Sequence, residues 1–138
     1  MADQDPNCLF CKIVAGELPS RIVEQDERTV AFLDIAPATP GHVVVVPRAH
    51  TTDLTTIDPS ELGAVAATGQ RVAVRALERL GATGVNLLNN SRPVAWQTVF
   101  HFHLHVIPRY EDDAMRLPWI PTPGDQDEIA AVHERLLG

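Results

Sequence analysis

Three histidines alternate with apolar residues late in the chain, where residues 101–106 read His-Phe-His-Leu-His-Val. Side chains of a β-strand point to alternate faces, so His101, His103 and His105 would share one face and the apolar residues the other. Neutral imidazole is a nucleophile near pH 7 and also a zinc ligand. The segment therefore favours nucleophilic catalysis by an imidazole that its neighbours orient. A three-histidine catalytic zinc site and a merely exposed polar strand face are the alternatives.

A second group of reactive side chains lies near the N-terminus. Cys8 and Cys11 are the only cysteines of the chain and are spaced C-x-x-C. In a protein of a reducing compartment this spacing indicates metal binding or redox chemistry rather than a structural disulfide. No βαβ pattern surrounds the pair, which disfavours a thioredoxin-type role. A metal-free, reduced cysteine pair is the remaining alternative.

Length and charge limit the partners and the number of domains. The chain has 138 residues, of which 45% are hydrophobic, and its formal net charge is −7. We expect one domain over residues 1–138, with a core over about 8–110 and a tail over 111–138. The acidic balance, without a Lys/Arg cluster, argues against nucleic acid or a membrane surface as partner. The longest apolar run, 43–46, is too short to span a membrane, and no secretory signal is visible, so we expect a cytoplasmic protein.

Periodicity and turn residues predict the elements that position these groups. Apolar residues recur at helical spacing after Asp58 and Pro59, which are typical of a helix start, and Gly81 ends that long helix. Shorter helices are predicted over 9–14 and about 125–137, and strands over 21–24, 29–34, 42–46, 84–89 and 98–107. We therefore predict an α+β fold, a mainly antiparallel sheet of about five strands with one long and one short helix.

Several segments together resemble one known family. Residues 101–107 are similar to the signature of the histidine triad (HIT) family, and residues 8–20, 32–37 and 40–50 resemble further blocks of its bacterial Hint-like branch. The resemblance covers residues 8 to about 110. It implies a HIT-like fold, a homodimer, and a nucleotide hydrolase or transferase that acts at an α-phosphate.

The resemblance also implies a role for each site residue. His103 would attack phosphorus and form a nucleotidyl-histidine that water hydrolyses, and His105 and His42 would form hydrogen bonds to the phosphate or the leaving group. Other residues would bind the nucleotide: Asp34 the ribose hydroxyls, Asn90, Gln97 and Thr98 the phosphate, and Leu9, Phe10, Ile13, Leu18 and Phe32 the base. Asp34 and Asn90 could instead be turn residues, and the apolar set could be plain core.

By the same resemblance, Cys8 and Cys11 would bind zinc together with His50 and His101. Four protein ligands would close the coordination shell, so this zinc would be structural. One loop departs from the family pattern, because Trp96 stands where glycine is usual and Arg92 is also bulky. We expect this loop to reshape the leaving-group side; the alternative is that Trp96 packs on its own loop or at a dimer contact.

The expected substrates are purine nucleoside phosphoramidates or adenylylated amines, which would release AMP or GMP. A dinucleoside polyphosphate hydrolase and a non-catalytic nucleotide-binding regulatory protein are the alternative functions.

Overall fold

The fold is built on one antiparallel sheet with helices on its faces. The computed structural model describes residues 5–138, so part of the acidic N-terminus lies outside the described residues. The elements are α1 (Leu9–Val14), β1 (Ile22–Gln25), β2 (Thr29–Leu33), β3 (Val43–Pro47), α2 (Pro59–Arg79), β4 (Gly84–Leu88), a 3₁₀ turn (Pro93–Ala95), β5 (Leu104–Arg109) and α3 (Gln126–Leu137). The strand order is β1-β2-β3-β5-β4, and all neighbouring strands pair antiparallel. The predicted α+β class and five-stranded sheet are confirmed.

The central strand β3 is buried on both faces, which explains its unbroken run of valines. Val43 and Val45 pack into the cluster that lies under α2. Val44 and Val46 point the other way and pack with Phe10 of α1. Two cores therefore lie on opposite sides of the sheet, and the α1 side carries the histidines, because Val44 is paired with His105 across the ladder.

Helix α2 begins and ends as its sequence predicts. The Asp58 carboxylate accepts a hydrogen bond from the Ser60 N–H at 2.8 Å and caps the helix, while Pro59 occupies the first turn. Gly69 faces the sheet, where an added Cβ would lie 3.0 Å from Leu104 Cδ2. The missing side chain thus lets the helix approach β5, the strand that carries His105.

The last strand is shorter at its start than predicted. Strand β5 begins at Leu104 rather than residue 98, so of the three histidines only His105 lies in a regular strand. The main chain before it bonds to loops instead of the ladder: the Phe102 N–H donates to the Thr51 carbonyl at 2.7 Å. The prediction that Pro108 ends the strand is also wrong, because Pro108 is paired with Val85 and the strand continues to Arg109.

The C-terminal helix α3 is exposed along its whole length in the described chain. None of its residues is buried, and Ile129, Val132 and Leu136 expose an apolar stripe at helical spacing. An isolated helix of 12 residues is only marginally stable in water. We therefore expect another surface to pack against this stripe. Within residues 5–138 we find no helix with the length and hydropathy needed to cross a bilayer.

Candidate active site and metal-ligand cluster

A cavity of about 520 Å³ opens on the α1 side of the sheet. Its lining combines apolar side chains with a few polar ones that include Asp34, Thr98, His103 and His105. The five residues predicted to surround a base, Leu9, Phe10, Ile13, Leu18 and Phe32, all line this cavity. An apolar pocket with a few convergent polar groups is the usual form of a small-molecule site.

His103 is held in one tautomer by the main-chain carbonyl of His101. Its Nδ1 lies 2.7 Å from the His101 carbonyl oxygen, which can only accept, so Nδ1 carries the proton. Nε2 therefore bears the lone pair and has no partner among the described residues. Because no described side-chain nitrogen or oxygen is both buried and unpartnered, this Nε2 is reachable from the cavity. Burial lowers the pKa of His103 and keeps the ring neutral.

His42 and His105 form a hydrogen-bonded pair beside His103. The Ala38 N–H donates to His42 Nδ1 at 2.9 Å, so the proton of neutral His42 resides on Nε2. That Nε2–H faces His105 Nδ1 at 2.9 Å and must be the donor. His105 consequently accepts at Nδ1 and carries its own proton on Nε2. Burial, with repulsion from His103 and His42, lowers the pKa of His105 to about 4, in agreement with a neutral ring.

Asp34 lies at the edge of this pair. One carboxylate oxygen accepts the Ala36 N–H at 2.8 Å, and the other is 3.6 Å from His42 Nε2. Asp34, His42 and His105 are close enough to suggest a metal site. They do not fit one, because His42 Nδ1 is already an acceptor and a metal at Nε2 would require an imidazolate. Asp34 itself lines the cavity.

Two of the three residues predicted to contact phosphate, Gln97 and Asn90, are not among those that line this cavity. Gln97 is buried, and its amide holds the loop together: Oε1 accepts the Arg92 N–H at 2.6 Å and Nε2 donates to the Thr52 carbonyl at 2.8 Å. Asn90 is partly buried and does not line the cavity, whereas Thr98 does.

Sequence reasoning missed Asn89, whose Nδ2 donates to the His103 carbonyl at 2.9 Å. Its position directly after β4, the neighbour of β5, was the available signal.

The loop between Asn90 and Gln97 contains two residues with unusual backbone angles. Arg92 and Trp96 have φ angles of +78° and +75°, a region that favours glycine. Trp96 is 61% exposed, so it does not pack within its own loop. Arg92 points its guanidinium toward Asp53, with Nε 3.5 Å from the carboxylate. The backbone is thus strained at Trp96, an exposed residue two positions before the cavity-lining Thr98.

Four potential metal ligands meet beside the cavity. Cys8 caps α1, Cys11 lies in its first turn, His50 follows β3, and His101 precedes His103. His101 Nε2 donates to the Pro47 carbonyl at 2.8 Å, so its Nδ1 presents a lone pair to the cluster. The four ligand atoms lie within 4.8 Å of one another. All four predicted ligands are therefore brought together.

The spacing of these atoms fits a tetrahedral centre. The two Nδ1 atoms are 3.3 Å apart, and three of the four sulfur-to-nitrogen distances are 3.4 to 3.5 Å. Metal–ligand distances typical of zinc give tetrahedron edges of about 3.3 Å between nitrogens and about 3.6 Å between nitrogen and sulfur. The donor set of two sulfurs and two imidazoles also suits zinc.

Comparison with known proteins decides the family. The family model of the HIT domain matches residues 15–112, which is more than half of the chain. The chain belongs to the HIT family.

Solved HIT structures agree with this membership. A zinc-bound histidine triad family protein from Mycobacterium smegmatis is 41% identical, with a TM-score of 0.77 over 94% of this chain and 95% of that one. A histidine triad nucleotide-binding protein from Candida albicans is 30% identical, with a TM-score of 0.83 over 95% of each chain. A HIT family hydrolase from Clostridium thermocellum is 37% identical, with a TM-score of 0.71 over 83% of this chain and all of that one.

Proposed function

We propose that this HIT protein hydrolyses nucleotides at the α-phosphate through a nucleotidyl-His103 intermediate, with purine nucleoside phosphoramidates or adenylylated amines as substrates. The observation that carries the proposal is the single tautomer of His103, whose Nε2 lone pair is reachable from the cavity. The HIT proteins similar to this chain include one named as nucleotide-binding and another named as a hydrolase.

The cavity suits the nucleoside part of such a substrate. Phe10 and Phe32 meet edge to face, with ring centroids 5.5 Å apart, and give an apolar wall for a base. The Asp34 carboxylate, a pure acceptor when ionised, suits the two ribose hydroxyls. Thr98 offers a hydroxyl for the phosphate.

Chemistry would then proceed in two displacements. The lone pair of His103 Nε2 attacks phosphorus and forms a P–N bond. The bond to the leaving amine breaks, its electron pair stays on the amine nitrogen, and that nitrogen takes a proton from solvent. His103 now carries the nucleotidyl group on Nε2 and a proton on Nδ1, and the His101 carbonyl stabilises the resulting positive charge. Water attacks phosphorus, the P–Nε2 electron pair returns to the ring, and the proton of the water goes to solvent.

His105 has a complementary role in this scheme. Its Nε2–H has no partner among the described residues and stands beside the nucleophile, with the ring centroids of His103 and His105 4.9 Å apart. A hydrogen-bond donor at this position stabilises negative charge that develops on a phosphoryl oxygen or the leaving atom. His42 holds the other side of the His105 ring.

The test compares wild type with His103→Asn on an adenosine phosphoramidate, with AMP binding measured by calorimetry. We expect the substitution to remove turnover and retain AMP binding, and a rapidly quenched wild-type reaction to contain an acid-labile nucleotidyl adduct in the mass spectrum. Turnover of His103→Asn near the wild-type rate contradicts the nucleophile. Wild-type binding of AMP without turnover of any phosphoramidate or dinucleoside polyphosphate would identify a binding protein instead.

We further propose that Cys8, Cys11, His50 and His101 hold a structural zinc ion. The fit of the ligand distances supports this, and so does the zinc reported for the Mycobacterium smegmatis relative. All four positions would come from protein, so the zinc would stabilise the fold and bind no substrate. Metal analysis of the purified protein, with about one zinc per chain expected, tests the assignment.

A homodimer is the third part of the proposal. The exposed apolar stripe of α3, formed by Ile129, Val132 and Leu136, supports it, because a second copy would cover that stripe. Light scattering should report a dimer for wild type and a smaller mass for Val132→Asp, whereas the exposed control Glu128→Lys should stay dimeric. A wild-type monomer contradicts the dimer. The single-domain organisation and the cytoplasmic location stay predictions.

A further inference from the structure

The loop between β2 and β3 holds a main-chain group against the site. The N–H of Ala38 points at His42 Nδ1, 2.9 Å away. Ala38 itself is exposed and carries no functional side chain, so its role lies wholly in its peptide group. A peptide N–H can only donate, and the direction of this hydrogen bond is therefore fixed.

That direction sets the protons of two rings in series. A lone pair at His42 Nδ1 places the proton on His42 Nε2, and this proton occupies the lone pair of His105 Nδ1. The His105 proton must then be on Nε2, on the substrate side. If the Ala38 N–H were absent, His42 could carry its proton on Nδ1 and accept from His105, which would leave His105 Nε2 as an acceptor facing the phosphate.

We propose that the peptide N–H of Ala38 is a positioning group that fixes the His42–His105 pair in the one arrangement with an Nε2–H donor facing the substrate. The proposal rests on the proposed function for its effect on rate, but the proton arrangement itself is a property of the resting protein.

The loop is built to hold this amide in place. The Thr39 hydroxyl donates to the Pro108 carbonyl at 2.6 Å and is buried, which ties the loop to β5. The His42 N–H donates to the Thr39 carbonyl at 3.2 Å and closes the turn. Gly41 has a φ of +88°, a conformation that favours glycine, and its position lies against the Leu80 side chain at the end of α2.

The nearby carboxylate does not replace the amide. Asp34 is 3.6 Å from His42 Nε2, which is too long for a hydrogen bond, so its charge acts on His42 without directing a particular proton. The Ala38 amide is the group in hydrogen-bond contact with Nδ1.

Nitrogen NMR of the wild-type protein tests the arrangement without any substitution. Long-range ¹H–¹⁵N correlations separate protonated from unprotonated ring nitrogens. We expect His42 and His105 each to show a protonated Nε2 and an unprotonated Nδ1, and His103 to show the reverse. A protonated Nδ1 on His42 would overturn the inference. It would leave the nucleophilic role of His103 untouched, since that role depends on turnover and on the trapped adduct.

Removal of the amide hydrogen tests its consequence. Ala38→Pro deletes the donor, and Ala38→Ser is the matched control that keeps it. We expect the proline variant to show both tautomers of His42 and about a tenfold fall in kcat, with the KM and the affinity for AMP changed little. The serine variant should resemble wild type in all these measurements.

A folded Ala38→Pro protein that keeps a single Nε2–H tautomer at His42, or keeps the wild-type kcat, refutes the positioning role. Where this variant does not fold, the wild-type spectrum alone decides.

Discussion

Acid should destabilise the folded protein through His105, and the structure gives the size of the effect. The folded pKa of His105 is about 4, below its ordinary value of 6.5, because burial disfavours the charged ring and His103 and His42 repel it. The unfolded chain therefore binds a proton more readily than the folded chain does. The stabilising contribution is complete above pH 6.5 and is lost as the pH falls toward 4.

The linkage relation turns these pKa values into a free energy. Between pH 7.5 and pH 5 the unfolded and folded pKa values of His105 predict that the free energy of unfolding falls by about 2 kcal/mol. The His105 ring is only partly buried, so solvent screening lowers the expected figure to about 1 kcal/mol. Urea unfolding at both pH values measures it for wild type and for His105→Asn, whose side chain does not titrate.

The comparison of wild type with His105→Asn separates the effect of His105 from that of other acid-sensitive groups, such as the cluster of Cys8, Cys11, His50 and His101. Between pH 7.5 and pH 5, we expect the free energy of unfolding of wild type to fall by about 1 kcal/mol more than that of His105→Asn. His133→Gln, a change on the exposed helix α3, serves as the control and should follow wild type. Equal losses in wild type and His105→Asn would refute the assignment of a neutral, proton-resistant His105.

Three further predictions concern the cluster, the strained loop and a main-chain contact. Cys8→Ser with Cys11→Ser should lose bound zinc and lower the Tm, and chelation should reduce stability more than the chemical step; a chelator that stops turnover of a still-folded protein, with rescue by zinc, would make the metal catalytic. Trp96→Gly should change the relative kcat/KM among AMP derivatives that differ only in leaving group, whereas one common factor for all of them would make the loop structural. Asn89→Ala should lower kcat about tenfold with AMP affinity nearly unchanged, because the His103 carbonyl loses its donor; a weakened AMP affinity with normal kcat would place Asn89 in binding instead.

Much of the fold was predictable because its signals are local. Helix α2 starts beside the predicted Asp58 cap, and β3 lies within one residue of its predicted range. Capping residues and uninterrupted apolar runs act over a few residues, so sequence alone reports them. The four metal ligands and the apolar lining of the cavity came instead from resemblance to a family, and the structure brings both sets together.

The segment before β5 could not be predicted, because distant groups decide its conformation. Alternation of apolar and polar residues indicates a strand, and residues 100–106 alternate. In the structure the Phe102 N–H is taken by Thr51, and the His103 carbonyl by Asn89. These partners lie on other loops, and nothing in the local pattern reports them. The positive φ of Trp96 is not visible from its residue type either, because this backbone conformation favours glycine and the sequence has tryptophan there.

The different chemistry of neighbouring histidines is set by main-chain atoms that face each ring. The Pro47 carbonyl accepts a hydrogen bond from His101 Nε2–H, so the Nδ1 lone pair faces the cysteines. The carbonyl of His101 accepts a hydrogen bond from His103 Nδ1–H and leaves the lone pair on Nε2. Two residues apart, the same side chain is thus a candidate metal ligand in one case and a candidate nucleophile in the other. Because carbonyls and amides occur at every position, residue types alone cannot assign these roles, and the direction of each hydrogen bond does.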